Sequence, residues 1–267
     1  MQVSSPESSP GCALRALLWD VDGTLAETEQ RGHRVAFNRA MADAGLPWQW
    51  DETTYRELLN VSGGRERLEL FLEQREGRVP EPARLEDLVG RKQEHYRALV
   101  EAGELQLRPG VRRLMAAAAA AGLSQGIVTT SGRGSVQTLC QHLLADLAGA
   151  LSFWICGEDV RRKKPDPEAY QLALTQLESG GQGVLAIEDS LNGLGAASAA
   201  GLSCLITLGL DSAEQAIAGF AAAAVTTSVA VVDGLGDPGR PASVRCGPAC
   251  PEGLVTLSWL EQLVPRP

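Results

Sequence analysis

The feature that most limits what this chain can fold into is a rhythm. Short β-rich apolar runs stand at 14–20 (LRALLWD), 126–130 (GIVTT), 153–157 (FWICG), 184–189 (VLAIED) and 204–208 (CLITL). From the second run onward, amphipathic helical patterns separate them. Val111, Leu114 and Met115 fall on one helical face, Val136, Leu139, Cys140 and Leu143 on the next, and Tyr170, Ala173, Leu174 and Leu177 on a third. Strands that alternate with helices imply a parallel α/β sheet covered on both faces.

Residues 28–105 break that rhythm with helix after helix and no convincing strand. Phe37 and Met41 mark one helical face, stopped by Gly45 and Pro47. Asp51 can cap a second helix, with Tyr55, Leu58 and Leu59 as its apolar side. Leu68, Phe71 and Leu72 mark a third, ended by Gly77, and Leu85, Leu88, Val89, Tyr96, Leu99 and Val100 keep a helical period up to Gly103. The spacing predicts a compact helical bundle inserted just after the first strand, large enough to act as a lid.

With 267 residues, 44% of them hydrophobic and 21% charged, the chain can bury a sizeable core. A net charge of -9 argues against nonspecific binding to nucleic acid or an anionic membrane surface, though not against a small anion held by local basic groups. The cysteines, Cys12, Cys140, Cys156, Cys204, Cys246 and Cys250, are scattered among few histidines, which is neither a zinc nor a disulfide framework. The opening MQVSSPESSPG has no basic start and no apolar stretch, so residues 1–12 read as a disordered tail, and a cytoplasmic monomer is the expectation. Residues 234–251 are rich in Gly and Pro and read as irregular loop, whereas VTLSWLEQL after them returns to an apolar pattern expected to pack on the core.

The chemistry starts at the end of the first apolar run, in LLWDVDGTLAE. Asp20 and Asp22 stand two apart, so they point to one side if the strand continues that far. Close carboxylates repel unless a cation or a shared proton relieves them, and Mg²⁺ suits such an oxygen-rich site. Gly23 and Thr24 then turn the chain at the strand's carboxyl end, where open α/β sheets bind ligands. Thr129, Thr130 and Ser131 end a later strand with hydroxyls and N–H groups that suit phosphate oxygens; Lys164 precedes a proline; Glu188 and Asp189 end another strand as further ligands for a cation. Singly, each has an ordinary reading as a turn, a solvated basic run or a helix start. Their order after DVDGT favours a phosphate site. Lys163 competes with Lys164, and Thr130 with Thr129.

DVDGT, the hydroxyl of Thr129, Lys164 before Pro165, and Glu188-Asp189 resemble, in order and across nearly the whole chain, the motifs of the haloacid dehalogenase superfamily. The helical insertion matches the cap of its β-phosphoglucomutase-like branch. The resemblance implies a Rossmann-like core of residues 13–27 and 106–267, with a helical-bundle cap over 28–105. It implies Asp20 as nucleophile forming an aspartyl-phosphate, and Asp22 as the acid and base. Mg²⁺ would be held by Asp20, the backbone carbonyl of Asp22 and Asp189, with Glu188 nearby, while Lys164, Thr129 and the backbone of Thr130 steady the phosphoryl oxygens.

The cap loop SGGRER adds a possible second anion grip, because Gly63 and Gly64 allow close backbone approach and Arg65 and Arg67 carry charge. A glycine turn followed by a helix with exposed Arg and Glu side chains competes with that reading. AETEQRGHRVAFN, YRELLNVSGGRERL, RPGV, KKPDPEAY and EDSLNGL are similar to the xylulose-1,5-bisphosphate phosphatases, which remove the C1 phosphate of a Rubisco inhibitor to give xylulose 5-phosphate. That resemblance implies Glu27, Glu29, His33, Gly63, Gly64, Arg65, Arg67, Thr130, Ser131 and Arg133 as substrate contacts. Trp19 and Arg65 stand where the family commonly has phenylalanine and lysine. A β-phosphoglucomutase-like mutase is the nearest alternative. A phospho-receiver module is disfavoured, because the nucleophile lies on the first strand and a helical cap follows it.

Overall fold

Strand β1 (Ala16–Trp19) is the hub of the sheet. Ala16 and Leu18 face one hydrophobic cluster, Leu17 and Trp19 the other, so both faces are covered and the strand reads as an unbroken apolar run. The computed structural model describes residues 14–177, 180–209, 219–220 and 229–264; the expected tail over 1–12 lies outside them. Around β1 stand β2 (Ser124–Val128), β3 (Phe153–Ile155), β4 (Val184–Glu188), β5 (Ser203–Thr207), β6 (Val229–Val232) and β7 (Val244–Cys246). They form a seven-stranded sheet in the order β3-β2-β1-β4-β5-β6-β7. Every pair is parallel except β6 with β7. In register, Trp19 lies between Ile127 and Ile187.

The chain leaves β1 toward β2 on one side and β4 on the other. The carboxyl end of β1 is therefore the point where the winding reverses and a crevice opens. The strand stops at Trp19, short of the acidic pair, and Asp22 makes only an isolated bridge with Ala26. The simple two-residue alternation expected for Asp20 and Asp22 is thus replaced by a turn. The sequence-based loop over 234–251 is also corrected, since β7 lies within it as an antiparallel edge strand.

After a π-helical turn (Glu29–His33), the insertion consists of α1 (Arg34–Asp43), α2 (Glu52–Leu58), α3 (Gly64–Glu76) and α4 (Pro82–Glu101). Its helices bury Phe37, Met41, Trp50, Tyr55, Leu68 and Phe71 in a hydrophobic cluster separate from those of the sheet. Asp51 caps α2 by accepting from the Thr54 N–H at 2.7 Å, and Gly77 ends α3 in the left-handed conformation. Leu99 and Val100 at the end of α4 reach the main cluster and tie the insertion to the sheet. Among the described residues, α5 (Val111–Ala120), α6 (Arg133–Leu143), α7 (Glu168–Gln176), α8 (Leu191–Ala199) and α9 (Leu257–Leu260) pack around the strands. As expected, Val255, Trp259, Leu260 and Leu263 bury against that core.

Cys140, Cys156, Cys204, Cys246 and Cys250 are free thiols. No described helix is long and apolar enough to cross a membrane. Beside β1 a buried polar pair is matched: the Trp19 indole N–H donates to Gln125 Oε1 at 3.1 Å, and Gln125 Nε2 donates to the Met115 carbonyl at 3.0 Å. Leaving either glutamine group unpaired would cost about 1–3 kcal/mol.

Candidate active site

Asp20 follows the last residue of β1 and is 7% exposed. Lys164, in the loop before α7, donates to Asp20 Oδ1 at 2.8 Å, to Glu188 Oε1 at 2.5 Å and to the Val128 carbonyl at 2.7 Å. The lysine thus collects the carboxyl ends of β1, β2 and β4 at one ammonium. Tyr170 of α7 donates its hydroxyl to the same Glu188 oxygen at 2.6 Å. Burial pushes the Asp20 carboxyl well above the usual carboxylate range. Lys164 pulls it down, and the charges of Glu188 and Asp22 push it up again. Burial alone would lower the proton affinity of Lys164, but Asp20 and Glu188 outweigh it and hold the ammonium charged.

Asp20, Glu188 and Asp189 bring carboxylate oxygens within 4.8 Å of one another. The second Glu188 oxygen is buried with no hydrogen-bond partner, as a hard-cation donor would be. Burial, then the charges of Asp20 and Glu188, raise the Asp189 carboxyl well above its ordinary range, a repulsion that a divalent cation relieves. Gly23 makes the cluster possible: at φ +79° it carries no Cβ, and a Cβ there would stand 1.9 Å from Asp189 Oδ2. The donor set therefore fits Mg²⁺.

Asp22 faces different partners. Thr28 donates to its Oδ1 at 2.5 Å, Ser131 donates to Oδ2, and His33 Nε2 lies 2.8 Å from Oδ1. Lys92, in the middle of α4, lies 2.8 Å from the other imidazole nitrogen. An ammonium can only donate, so His33 Nδ1 accepts and Nε2 carries the proton that points at Asp22. Burial would raise the Asp22 carboxyl, but His33, Ser131 and Thr28 together hold it far below the ordinary carboxylate range. Tyr96 stacks on the imidazole at 4.4 Å and fixes its plane.

A cavity of about 260 Å³ adjoins these groups. His33 and Ser131, both bonded to Asp22, form part of its wall, and Gly63, Gly64, Arg65 and Arg67 close the side made by the insertion. Glu29 and Thr130 also line it. The predicted contacts divide here. Arg65 is 45% exposed and only loosely held by Glu69 at 3.9 Å. Arg67 is buried and turned inward, donating to the Tyr55 hydroxyl at 2.7 Å and to the carbonyls of Leu58 and Val61, with Glu29 at 3.5 Å. Thr129 is fully buried and its hydroxyl accepts from the Ser131 N–H at 3.1 Å.

Two predicted contacts are not brought to that cavity. Arg133 turns to Asp159, at 2.5 Å, and to the Trp154 carbonyl. Glu27 pairs with Arg108 at 2.9 Å and borders a second, smaller hollow beside Gly23 and Asp189. Arg108 also donates to the carbonyls of Gly23, Thr207 and Leu208, which pins the turn after β1 to the end of β5.

The sequence alone does not mark Thr28, Lys92, Tyr170 or Arg108 as residues of the site. Lys92 left a trace, because it interrupts the apolar stripe of Leu85, Leu88, Val89 and Tyr96 at a helical spacing. Tyr170 falls on an apolar helical face, and its hydroxyl role needs the fold.

The chain is similar in sequence and fold to known proteins. Residues 14–201 match the family model of the haloacid dehalogenase-like hydrolases. Protein CbbY of Cereibacter sphaeroides is 42% identical over 77% of this chain and 89% of its own length. The plasmid-encoded Protein CbbY of Cupriavidus necator is 40% identical over 85% of this chain and 88% of its own. A crystal structure of a CbbY mutant from Rhodobacter sphaeroides in complex with xylulose-(1,5)bisphosphate superposes with a TM-score of 0.69, at 41% identity over 74% of this chain and 88% of that one. The chain belongs to the haloacid dehalogenase-like hydrolases, as a CbbY-like phosphatase, an enzyme that hydrolyses phosphoric monoesters.

Proposed function

We propose that the enzyme is a Mg²⁺-dependent sugar bisphosphate phosphatase that converts xylulose 1,5-bisphosphate to xylulose 5-phosphate through an aspartyl-phosphate on Asp20. The observation that carries this reading is the placement of Asp20. It lies at the carboxyl end of the central strand, touching Lys164 and within reach of Glu188 and Asp189. Similarity to a CbbY crystallised with xylulose-(1,5)bisphosphate supports the choice of sugar.

Asp20 attacks the C1 phosphorus, and Lys164 faces the charge that gathers on the phosphoryl oxygens. The Thr129 hydroxyl and the backbone N–H of Thr130 add neutral donors at the end of β2. Asp22 handles the protons. A phosphate dianion arriving beside it raises its proton affinity, so it carries a proton to the leaving sugar oxygen. Once the sugar has left, Asp22 is a carboxylate again and takes a proton from the hydrolytic water. His33, oriented by Lys92, and Thr28 hold Asp22 at the angle both transfers need. Asp20, the Asp22 backbone carbonyl and Asp189, with Glu188 nearby, would hold Mg²⁺, which would supply positive charge facing the phosphoryl oxygens.

The test is phosphate release from a panel of sugar mono- and bisphosphates, with and without Mg²⁺, for the wild type beside Asp20→Asn. The expected result is Mg²⁺-dependent release with preference for xylulose 1,5-bisphosphate and none from Asp20→Asn. Isomerised sugar phosphate without free phosphate would mean a mutase instead.

A further inference from the structure

Lys163 adjoins the lysine that holds Asp20, yet its side chain turns the other way. Its Nζ lies 2.6 Å from Oε1 of Glu66 in the first turn of α3, so the pair joins the α/β part to the helical insertion. Two neutral contacts, Gln93 with Ser135 and Asn192 with Ser62, cross between the same two parts. Both charged residues line the 260 Å³ cavity beside Arg65. The backbone is shaped around the pair. Gly63 has φ +94°, and a Cβ there would lie 2.2 Å from Glu66 Oε2 and 2.5 Å from Lys163 Nζ. Only glycine lets the start of α3 close on this ion pair.

The other cations of the cavity differ in what they can offer. Arg67 is turned to Tyr55, Leu58 and Val61, and Lys92 to His33. Lys163 keeps part of its side chain open at 20% exposure, and Arg65 is looser still. Glu66 Oε2, buried, has no hydrogen-bond partner, so the carboxylate is held by one oxygen alone.

We propose that Lys163 is a specificity-determining residue: with Arg65 it binds the phosphate at the far end of the substrate, which takes the place of Glu66 on the ammonium. The inference rests on the sugar bisphosphate reading. A phosphate carries more charge than a carboxylate and offers three acceptor oxygens, so it can bridge Lys163 from the core and Arg65 from α3. A sugar monophosphate lacks that group and leaves Lys163 on Glu66. Selectivity then comes from the exchange itself, because only a substrate with a second phosphate replaces the pair it breaks.

The experiment compares kcat/KM for xylulose 1,5-bisphosphate and for a sugar 1-phosphate in the wild type, Lys163→Met, Lys163→Arg and Glu66→Gln. Lys163→Met should reduce the bisphosphate preference by about 10- to 100-fold, mainly through KM, as expected for loss of a charge-assisted contact. Lys163→Arg should keep most of it. Glu66→Gln, which removes the competing carboxylate charge, should lower KM for the bisphosphate. A wild-type preference that Lys163→Met keeps overturns the inference alone. So does a Glu66→Gln variant that loses as much preference as Lys163→Met, since that marks a structural strut. A wild type that hydrolyses both substrates alike overturns the substrate reading, and the inference with it.

Discussion

Lys164→Met tests the electrostatic design of the site in its most buried part. Methionine keeps the length and apolar stem of the side chain, so packing changes little, but the ammonium disappears from a residue that is 4% exposed. Its contacts to Asp20, Glu188 and the Val128 carbonyl are lost together. Three carboxylates with oxygens within 4.8 Å then share a buried space without that cation. Removing one partner of a buried charge pair costs about 3–5 kcal/mol. For a chain of this size that corresponds to a fall in Tm of roughly 6–20 °C.

The loss must also depend on pH. Burial above all raises the folded-state pKa of Asp20 and Asp189, so these groups stabilise the fold fully below about pH 4, their unfolded value. That stability is lost as pH rises through the folded-state values. Lys164 opposes the rise at Asp20, so removing it should leave the two proteins close at pH 4.5 and far apart at pH 7.5. Thermal unfolding followed by circular dichroism in EDTA measures the gap, and added Mg²⁺ should narrow it. Equal Tm values at pH 7.5, or a loss that is the same at both pH values, would show that Lys164 does not offset these buried carboxylates.

Gly23→Ala should drive its Cβ into Asp189, 1.9 Å away, and lower phosphatase activity at least ~100-fold while abolishing the Mg²⁺-induced rise in Tm; an active variant would contradict the packing. Burial lowers the Lys92 ammonium to about 8, so kcat should decline as pH rises through that value and the hydrogen bond to His33 Nδ1 loses its charge. Lys92→Met should reduce kcat by roughly 10- to 100-fold and lack that limb of the pH–rate profile. Arg67→Ala leaves Glu29 and Tyr55 facing an empty space and should cost about 3–5 kcal/mol in denaturant unfolding. Arg65→Ala, at an exposed position, should change stability by less than about 0.5 kcal/mol yet damage bisphosphate turnover more than that of a small phosphate ester.

The strands β1, β2, β4 and β5 were legible because they are buried on both faces, which writes them as continuous apolar runs bounded by turns, and β3, a half-buried edge strand, still shows as the apolar run Phe153–Ile155. β6 was not, because Val229–Val232 follows an alanine-rich stretch that blurs its edge. β7 was not either: a three-residue antiparallel edge strand in Gly/Pro-rich sequence has too little pattern to show. In the site, the acidic and basic residues at strand ends could be found from the chain alone, since charge after an apolar run is an anomaly that asks for a partner. Which partner is a matter of tertiary geometry. Arg133 carried the right charge at a plausible position, but Asp159 takes its guanidinium. Lys163 and Lys164, adjacent and alike in sequence, point to Glu66 and to Asp20, a division made by the loop that carries them.

The proposed chemistry passes through a covalent phosphate on Asp20. Enzyme turning over xylulose 1,5-bisphosphate with Mg²⁺, quenched in acid and reduced with borohydride, should carry homoserine at position 20 in a peptide mass map, because an acyl phosphate is reduced where a free carboxylate is not. Phosphate release with an unmodified Asp20, or with the modification on another residue, would rule out Asp20 as the nucleophile.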